Sequence, residues 1–438
     1  MADLRSALEE TVVTAVRAKC DELIALTREL VAYDTTAREI GDPARDEERL
    51  QRSLAARLEA IGAEIDLWEP PATGRGNRLL PDDLDFVGRP QLAARLGGSG
   101  GGPSLLLNGH IDAVSVEPRE LWTHDPFAGE IADGRLYGRG AADMKGGIAS
   151  MTVALEVLHE RGVRLAGDVV VCTVTDEESS GAGGWAAVER GVRADAGFCT
   201  EPTGFDAWVA CRGTVCPTIT IPGRAGHAEA PQRDWREGGA VNAIEKLPLV
   251  LDALAELRED WRTRADHRHA MLSPGDIVPT VVRGGDWSVT IPAWCDLQCD
   301  AMFLPAGIDA TADASVIERE IRERVDAHVR ARDPWFEDHP LRWAWDSYVL
   351  PAEIAADHPL VEIVLAAAAA LGRPGKVAGL DSWHDAATFT RFGGTPCFSF
   401  GGGALATAHA VDEYTEIDEL VDVAAAVALA AMRFCVAT

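Results

Sequence analysis

The chain has 438 residues, 47% hydrophobic and 25% charged, an ordinary globular composition that excludes disorder and fibre and is too long for one compact core. With 41 Lys+Arg against 70 Asp+Glu the formal charge is −29, so a phosphate backbone or an anionic membrane would be repelled, and neither nucleic acid nor membrane is expected as a partner. The nine cysteines are odd in number, scattered from Cys20 to Cys435, and form no Cys-x-x-Cys pair. That usage, with no signal-like start and no 18-residue apolar run, predicts reduced thiols in a cytoplasmic protein.

In chain order, apolar residues at helical spacing predict a helix over residues 6–31 and a second over 47–61. Residues 70–90, with clustered Pro, Gly and Asp, read as irregular. Strands follow over 104–108 and 168–175, apolar on both faces as in a covered sheet, with a long helix over 145–161 between them. Around 209–221 and 293–304 the pattern changes to alternating strands, with helices over 240–257 and 314–331. The helix and strand alternation resumes with a helix over 361–371 and a strand over 396–400, and the chain closes on an Ala-rich helix over 417–434. The expected architecture is α/β: a domain of residues 1–208 and 348–438 with a mostly parallel central sheet flanked by helices, and a smaller α+β domain inserted over 209–347.

The run Gly97-Gly98-Ser99-Gly100-Gly101 matches the Gly-x-Ser-x-Gly elbow of serine hydrolases, which needs a helix after the serine. A strand follows instead, so the run reads as a flexible turn. The informative residues are acidic and imidazole groups at strand ends. His110 and Asp112 sit two apart just past an apolar strand, where the carboxylate can accept the imidazole's second N–H; a plain structural hydrogen bond would use the same residues. Asp143, among glycines at the start of a long helix, serves equally as a helix cap. Thr175-Asp176-Glu177-Glu178 ends another strand on three successive carboxylates, which repel one another unless a cation neutralises them or water solvates the loop. Glu201, in Thr200-Glu201-Pro202, and His409, in Ala408-His409-Ala410, complete a mixed His and carboxylate set. Such a set suits Zn²⁺, with Co²⁺ or Mn²⁺ as alternatives, better than Ca²⁺ or Mg²⁺.

The order of these motifs, continued by Gly226-His227-Ala228 and Glu413-Tyr414, resembles the acetylornithine deacetylase, succinyl-diaminopimelate desuccinylase, aminoacylase and glutamate carboxypeptidase family of binuclear zinc metallopeptidases. The resemblance covers nearly the whole chain. It implies a zinc-exopeptidase-like catalytic domain and a ferredoxin-like dimerisation or lid domain. By the same resemblance Asp143 bridges two metal ions, with His110 and Glu201 completing one site and Glu178 and His409 the other. Asp112 orients His110, and Glu177 is the general base for a metal-bridging hydroxide that attacks an amide. His227 reaches the partner subunit's active site in a homodimer, Asp385 lines the pocket, and Gly401, Gly402 and Gly403 present N–H groups to a substrate carboxylate. Two divalent cations against three ligand carboxylates leave about +1 to hold a hydroxide. The activity implied is deacylation of a small N-acyl amino acid or related N-acylated amine. A dipeptidase, a carboxypeptidase or a non-hydrolytic amide-binding protein is the alternative. Two departures bear on the substrate: Val289 stands where the family commonly has Asn, and Met302 where it commonly has Arg, which removes donors for a carboxylate or oxyanion.

Overall fold

The computed structural model describes residues 2–37, 44–71, 78–81, 84–308, 313–346 and 348–437, so the irregular stretch expected over 70–90 lies partly outside the described residues. The chain divides into two compact units, one of residues 1–210, 352–380 and 384–438, the other of residues 211–351 and 381–383.

The first unit is built on a nine-stranded sheet in the order Glu64–Trp68, Gln91–Leu96, Val169–Val174, Leu105–His110, Ala196–Cys199, Cys397–Ser399, Ala207–Cys211 and Ala352–Glu353, with Val377–Leu380 also pairing Ala207–Cys211. The four strands from Val169–Val174 to Cys397–Ser399 are mutually parallel; Glu64–Trp68 and Gln91–Leu96 extend the sheet antiparallel. Every residue of Leu105–His110 and Val169–Val174 is buried, which requires cover on both faces and explains why these strands read as unbroken apolar runs. Part of that cover is the helix Gly146–Glu160, which lies against Leu105–His110 and in turn packs against the Ala-rich helix Ile417–Phe434, itself beside Pro359–Ala370. Its alanines 424, 425, 426, 428, 430 and 431 are all buried, and small side chains let the helix axes approach closely.

The amino-terminal segment expected as one helix is two, Ala2–Ala18 and Cys20–Ala32, because Lys19 leaves helical geometry at φ −92°, ψ 14°. The expected serine-bearing turn lies between strands Gln91–Leu96 and Leu105–His110, and Ser99 is tied down at Leu165 by its backbone N–H and its hydroxyl.

The second unit runs strand Pro217–Pro222, helix Leu247–Thr263, strands Asp276–Gly284 and Trp294–Phe303, helix Ser315–Arg332 and strand Arg342–Trp345. Numbered one to four, its principal strands lie in the order two, three, one, four, and each adjacent pair is antiparallel, which is the ferredoxin-like arrangement. The first of its helices begins later than expected, at Leu247, because Pro248 fits the first helical turn and nothing further inside. All nine cysteines are free thiols. Among the described residues, no helix is long and apolar enough to cross a membrane.

Candidate metal centre and active site

The carboxyl ends of three adjacent parallel strands converge on one place. Leu105–His110 delivers His110 and Asp112, Val169–Val174 delivers Glu177 and Glu178, and Ala196–Cys199 delivers Glu201. In α/β sheets this end of the strands is where side chains can meet without disturbing the ladder. Asp143 arrives from a tight turn between Gly140, at φ +80°, and the helix Gly146–Glu160. Gly147 lets that helix sit close: a β-carbon there would lie 2.1 Å from the carbonyl oxygen of Thr200. His409 comes from the long loop beyond Cys397–Ser399 and adopts φ +61°.

One atom of each of His110, Asp143 and Glu178 lies within 4.8 Å of the others. His110 Nε2 is 3.0 Å from Asp143 Oδ1 and 3.9 Å from Glu201 Oε2, while His409 Nε2 is 3.1 Å from Glu178 Oε2 and 3.5 Å from Asp143 Oδ2. Asp143 therefore stands between two imidazoles, one oxygen toward each, and the structure brings together all five residues expected to hold metal.

The chemistry of this donor set fits a metal ion. His110 Nδ1 lies 2.9 Å from the main-chain carbonyl of Asp112, which can only accept, so Nδ1 carries the hydrogen and a neutral ring has its lone pair on Nε2. That lone pair faces a carboxylate oxygen at 3.0 Å, an arrangement that needs a cation or a proton between them. The electrostatics agree. Burial, with the carboxylates of Glu201, Asp385 and Glu178 close by, pushes Glu177 well above the usual carboxylate range. Burial also raises Glu178, and burial with the Asp143 carboxylate raises Glu201 well above its ordinary value. Burial disfavours the Asp143 carboxylate too, but hydrogen bonds from His110 and His409 hold it below its ordinary value. Burial works against a charged His110, yet the Asp143 hydrogen bond and the Glu201 and Glu177 carboxylates raise it well above 6.5. Hydrogen bonds to Asp143 and Glu178 bring His409 up to about 10. Such crowding is what divalent cations relieve.

Three expectations change in detail. The group that orients His110 is the Asp112 carbonyl; the Asp112 carboxylate lies 3.7 Å from Nδ1 and instead accepts from the backbone N–H groups of Glu177 at 3.3 Å and Glu178 at 3.1 Å. Asp112 thus fixes the segment that carries the two glutamates. Two of the three loop glycines do not offer their N–H groups as expected: Gly401 donates to Thr203 Oγ1 at 3.0 Å and Gly403 to Glu419 at 2.7 Å, because the chain satisfies its own buried donors first. Asp385 is 1% exposed behind the cluster rather than open to a pocket, its carboxylate pressed against Gly184, and burial raises it to about 7. His227 lies in the second unit, exposed on a short two-stranded antiparallel ladder where Gly226–His227 pairs Thr290–Ile291.

Sequence reasoning gave no role to Arg139 or Glu413, although both stand inside its motifs. They form a buried ion pair at 2.6 Å beside Asp143. The signal was an arginine and a glutamate among residues otherwise assigned, but only the fold shows that segments 274 residues apart meet.

The sequence profile of Peptidase family M20/M25/M40 matches residues 106–433. A curated relative, the N-formyl-4-amino-5-aminomethyl-2-methylpyrimidine deformylase of Halalkalibacterium halodurans, is 28% identical over 417 residues, 92% of this chain and 91% of that protein. The succinyl-diaminopimelate desuccinylase of Methylorubrum extorquens is 42% identical over 289 residues, 63% of this chain and 66% of that protein. Among solved structures, human carnosine dipeptidase 1 shares the fold at a TM-score of 0.74 and 14% identity, covering 98% of this chain and 99% of its own.

Proposed function

The chain belongs to peptidase family M20/M25/M40 and is a metal-dependent hydrolase of amide bonds, and on that premise we propose that it removes a small acyl group from an N-acylated amine or amino acid. The observation that carries the reading is the His110 ring, whose hydrogen is committed to the Asp112 carbonyl and whose Nε2 faces the Asp143 carboxylate. In this reading His110, Asp143 and Glu201 hold one divalent ion and Asp143, Glu178 and His409 a second, with Zn²⁺ the best match to the donor set and Co²⁺ or Mn²⁺ able to replace it. When bound, the ions supply Lewis acidity toward the amide carbonyl and lower the pKa of water.

The chain's own residues do the rest. Glu177, half-buried beside the cluster, takes the proton from the attacking water and delivers it to the amine nitrogen as the C–N bond breaks. Asp112 keeps Glu177 in place through its backbone. The side-chain amide and guanidinium lost at Val289 and Met302, together with the deformylase relative that matches 92% of this chain, favour a formyl or other short acyl group on an amine over a substrate gripped by its carboxylate. His227 is proposed to steady the oxyanion from a partner subunit. A homodimer through the second unit is supported by the strand Asp276–Gly284, an edge of its sheet, and by Val282, Trp287 and Val289, which are 53%, 71% and 37% exposed around it. Nine free thiols fit a reducing, cytoplasmic setting.

The test is Glu177→Ala. Metal content by elemental analysis should match wild type while deacylation falls by about 10²–10⁴. Wild-type protein loaded with zinc, cobalt or manganese and inert on formyl, acetyl, succinyl and aminoacyl amines would overturn the reading. For the dimer, mixing His227→Ala with Glu177→Ala subunits should recover part of the activity; verified heterodimers without recovery would count against action across the interface.

A further inference from the structure

The turn that carries Asp143 has more backbone donors than its own helix can use. Gly140, Ala142 and Asp143 precede the helix Gly146–Glu160, so their N–H groups find no carbonyl one turn back. All three point at a single side chain. Glu413 Oε1 accepts from Ala142 at 2.9 Å and Asp143 at 3.1 Å, and Oε2 accepts from Gly140 at 3.1 Å and from the Arg139 guanidinium at 2.6 Å. Glu413 is 1% exposed, so each of these contacts is made away from water and its loss would strand a buried donor.

The same glutamate is anchored on two further sides. Its own carbonyl accepts from Gly138 at 2.8 Å, continuing the pairing of Tyr414–Glu416 with Arg135–Tyr137. Arg139 donates onward to the Ser115 carbonyl at 3.1 Å, on the segment that follows His110 and Asp112. Its neighbour Asp412 accepts from Thr123 N–H at 2.8 Å, Thr123 Oγ1 at 2.7 Å and His124 N–H at 3.1 Å. The loop bearing His409 is therefore fastened, three and four residues further on, to the two segments that bear Asp143 and follow His110.

We propose that Glu413, through Arg139 and the N–H groups of Gly140, Ala142 and Asp143, is the positioning residue that presets the spacing of Asp143 between His110 and His409 before any metal binds. Its carboxylate does not touch the reacting atoms; it acts through the backbone of Asp143. The inference rests on the proposed metal centre, because the spacing it sets is that of the expected ligands. Glutamine is the informative replacement: it keeps the size, but its NH₂ must face either Arg139 and Gly140 or Ala142 and Asp143, donor against donor.

The experiment is calorimetric titration of Zn²⁺ into metal-free wild type, Glu413→Gln and Glu416→Gln, the last a half-exposed partner of Arg135 on the same stretch. Glu413→Gln should bind Zn²⁺ about 10–100-fold more weakly, with kcat falling more than KM changes, and Glu416→Gln should match wild type. Hydrogen exchange of the 138–145 segment in metal-free wild type should show these amides protected, and in Glu413→Gln the protection should vanish there while the strand 105–110 keeps its own. Zn²⁺ affinity within about twofold of wild type in Glu413→Gln, whatever its melting temperature, would overturn the proposal. So would unprotected amides in metal-free wild type, a measurement that decides the matter even if Glu413→Gln does not fold. Wild type that binds no Zn²⁺ would instead overturn the metal-centre reading, leaving the exchange measurement to judge Glu413.

Discussion

The two imidazoles of the cluster face the same aspartate from opposite circumstances. The His110 side chain, 2% exposed at the end of a central strand, is held by the sheet; the His409 side chain, 51% exposed on a loop, is held by whatever holds that loop. A third histidine sharpens the contrast. His384 is as buried as His110 but faces the Ser399 hydroxyl, 2.5 Å away, and burial lowers it to about 3, whereas carboxylates raise both His110 and His409. For these rings the sign of the neighbouring charge outweighs depth: burial without an anion makes a histidine refuse a proton, and burial among anions makes it demand a cation.

The largest effect should come from the residue both halves share. Asp143→Asn is expected to reduce hydrolysis below detection and to drop the metal content from two ions to one or none, read by elemental analysis; two ions retained would dissolve the idea of a bridging carboxylate. His110→Ala comes next. Removing one partner from a buried charged set costs about 3–5 kcal/mol, so the metal-free variant should show that loss in urea unfolding, and an unchanged midpoint would mean the strand end is less coupled than its burial implies.

His384 gives the pH arm. Its folded pKa of about 3 lies below the unfolded value near 6.5, so the native state resists the proton that the unfolded chain accepts. Stability should be unaffected above pH ~6.5 and fall as pH drops below it, by up to about 3 kcal/mol by pH ~4. His384→Asn should flatten that slope, and an equally steep slope in the variant would assign it elsewhere. The smallest stability effect belongs to His409→Ala, about 1 kcal/mol or less in the metal-free protein because its pair is half in water. Zn²⁺ binding should nonetheless weaken markedly. A large destabilisation would show that the loop depends on the ring rather than the reverse.

The same contrast explains what could be read from the sequence. Strand ends were legible because an unbroken apolar run followed by a polar residue has one good solution, a covered strand whose terminus opens on a site; His110, Glu177, Glu178 and Glu201 all carry that mark. The strand Asp276–Gly284 was not legible, since its second half is exposed and lacks alternation. The helix expected from residue 240 overran its true start because apolar periodicity continued upstream of Pro248. That Asp112 orients His110 by its carbonyl, and that Gly401 and Gly403 spend their N–H groups within the chain, depend on backbone paths that residue identity does not encode.

The place of Cys397–Ser399 in the sheet has a consequence for synthesis. This late strand lies between Ala196–Cys199 and Ala207–Cys211, both made almost two hundred residues earlier. A nascent chain that has emerged only through the second unit holds a slot with two unsatisfied strand edges and four of the five expected ligands, with His409 still to come. The ribosome therefore releases a protein whose middle closes last, slowly by virtue of the sequence separation, and a chain cut short before residue 397 should aggregate through that open slot rather than persist as a smaller enzyme.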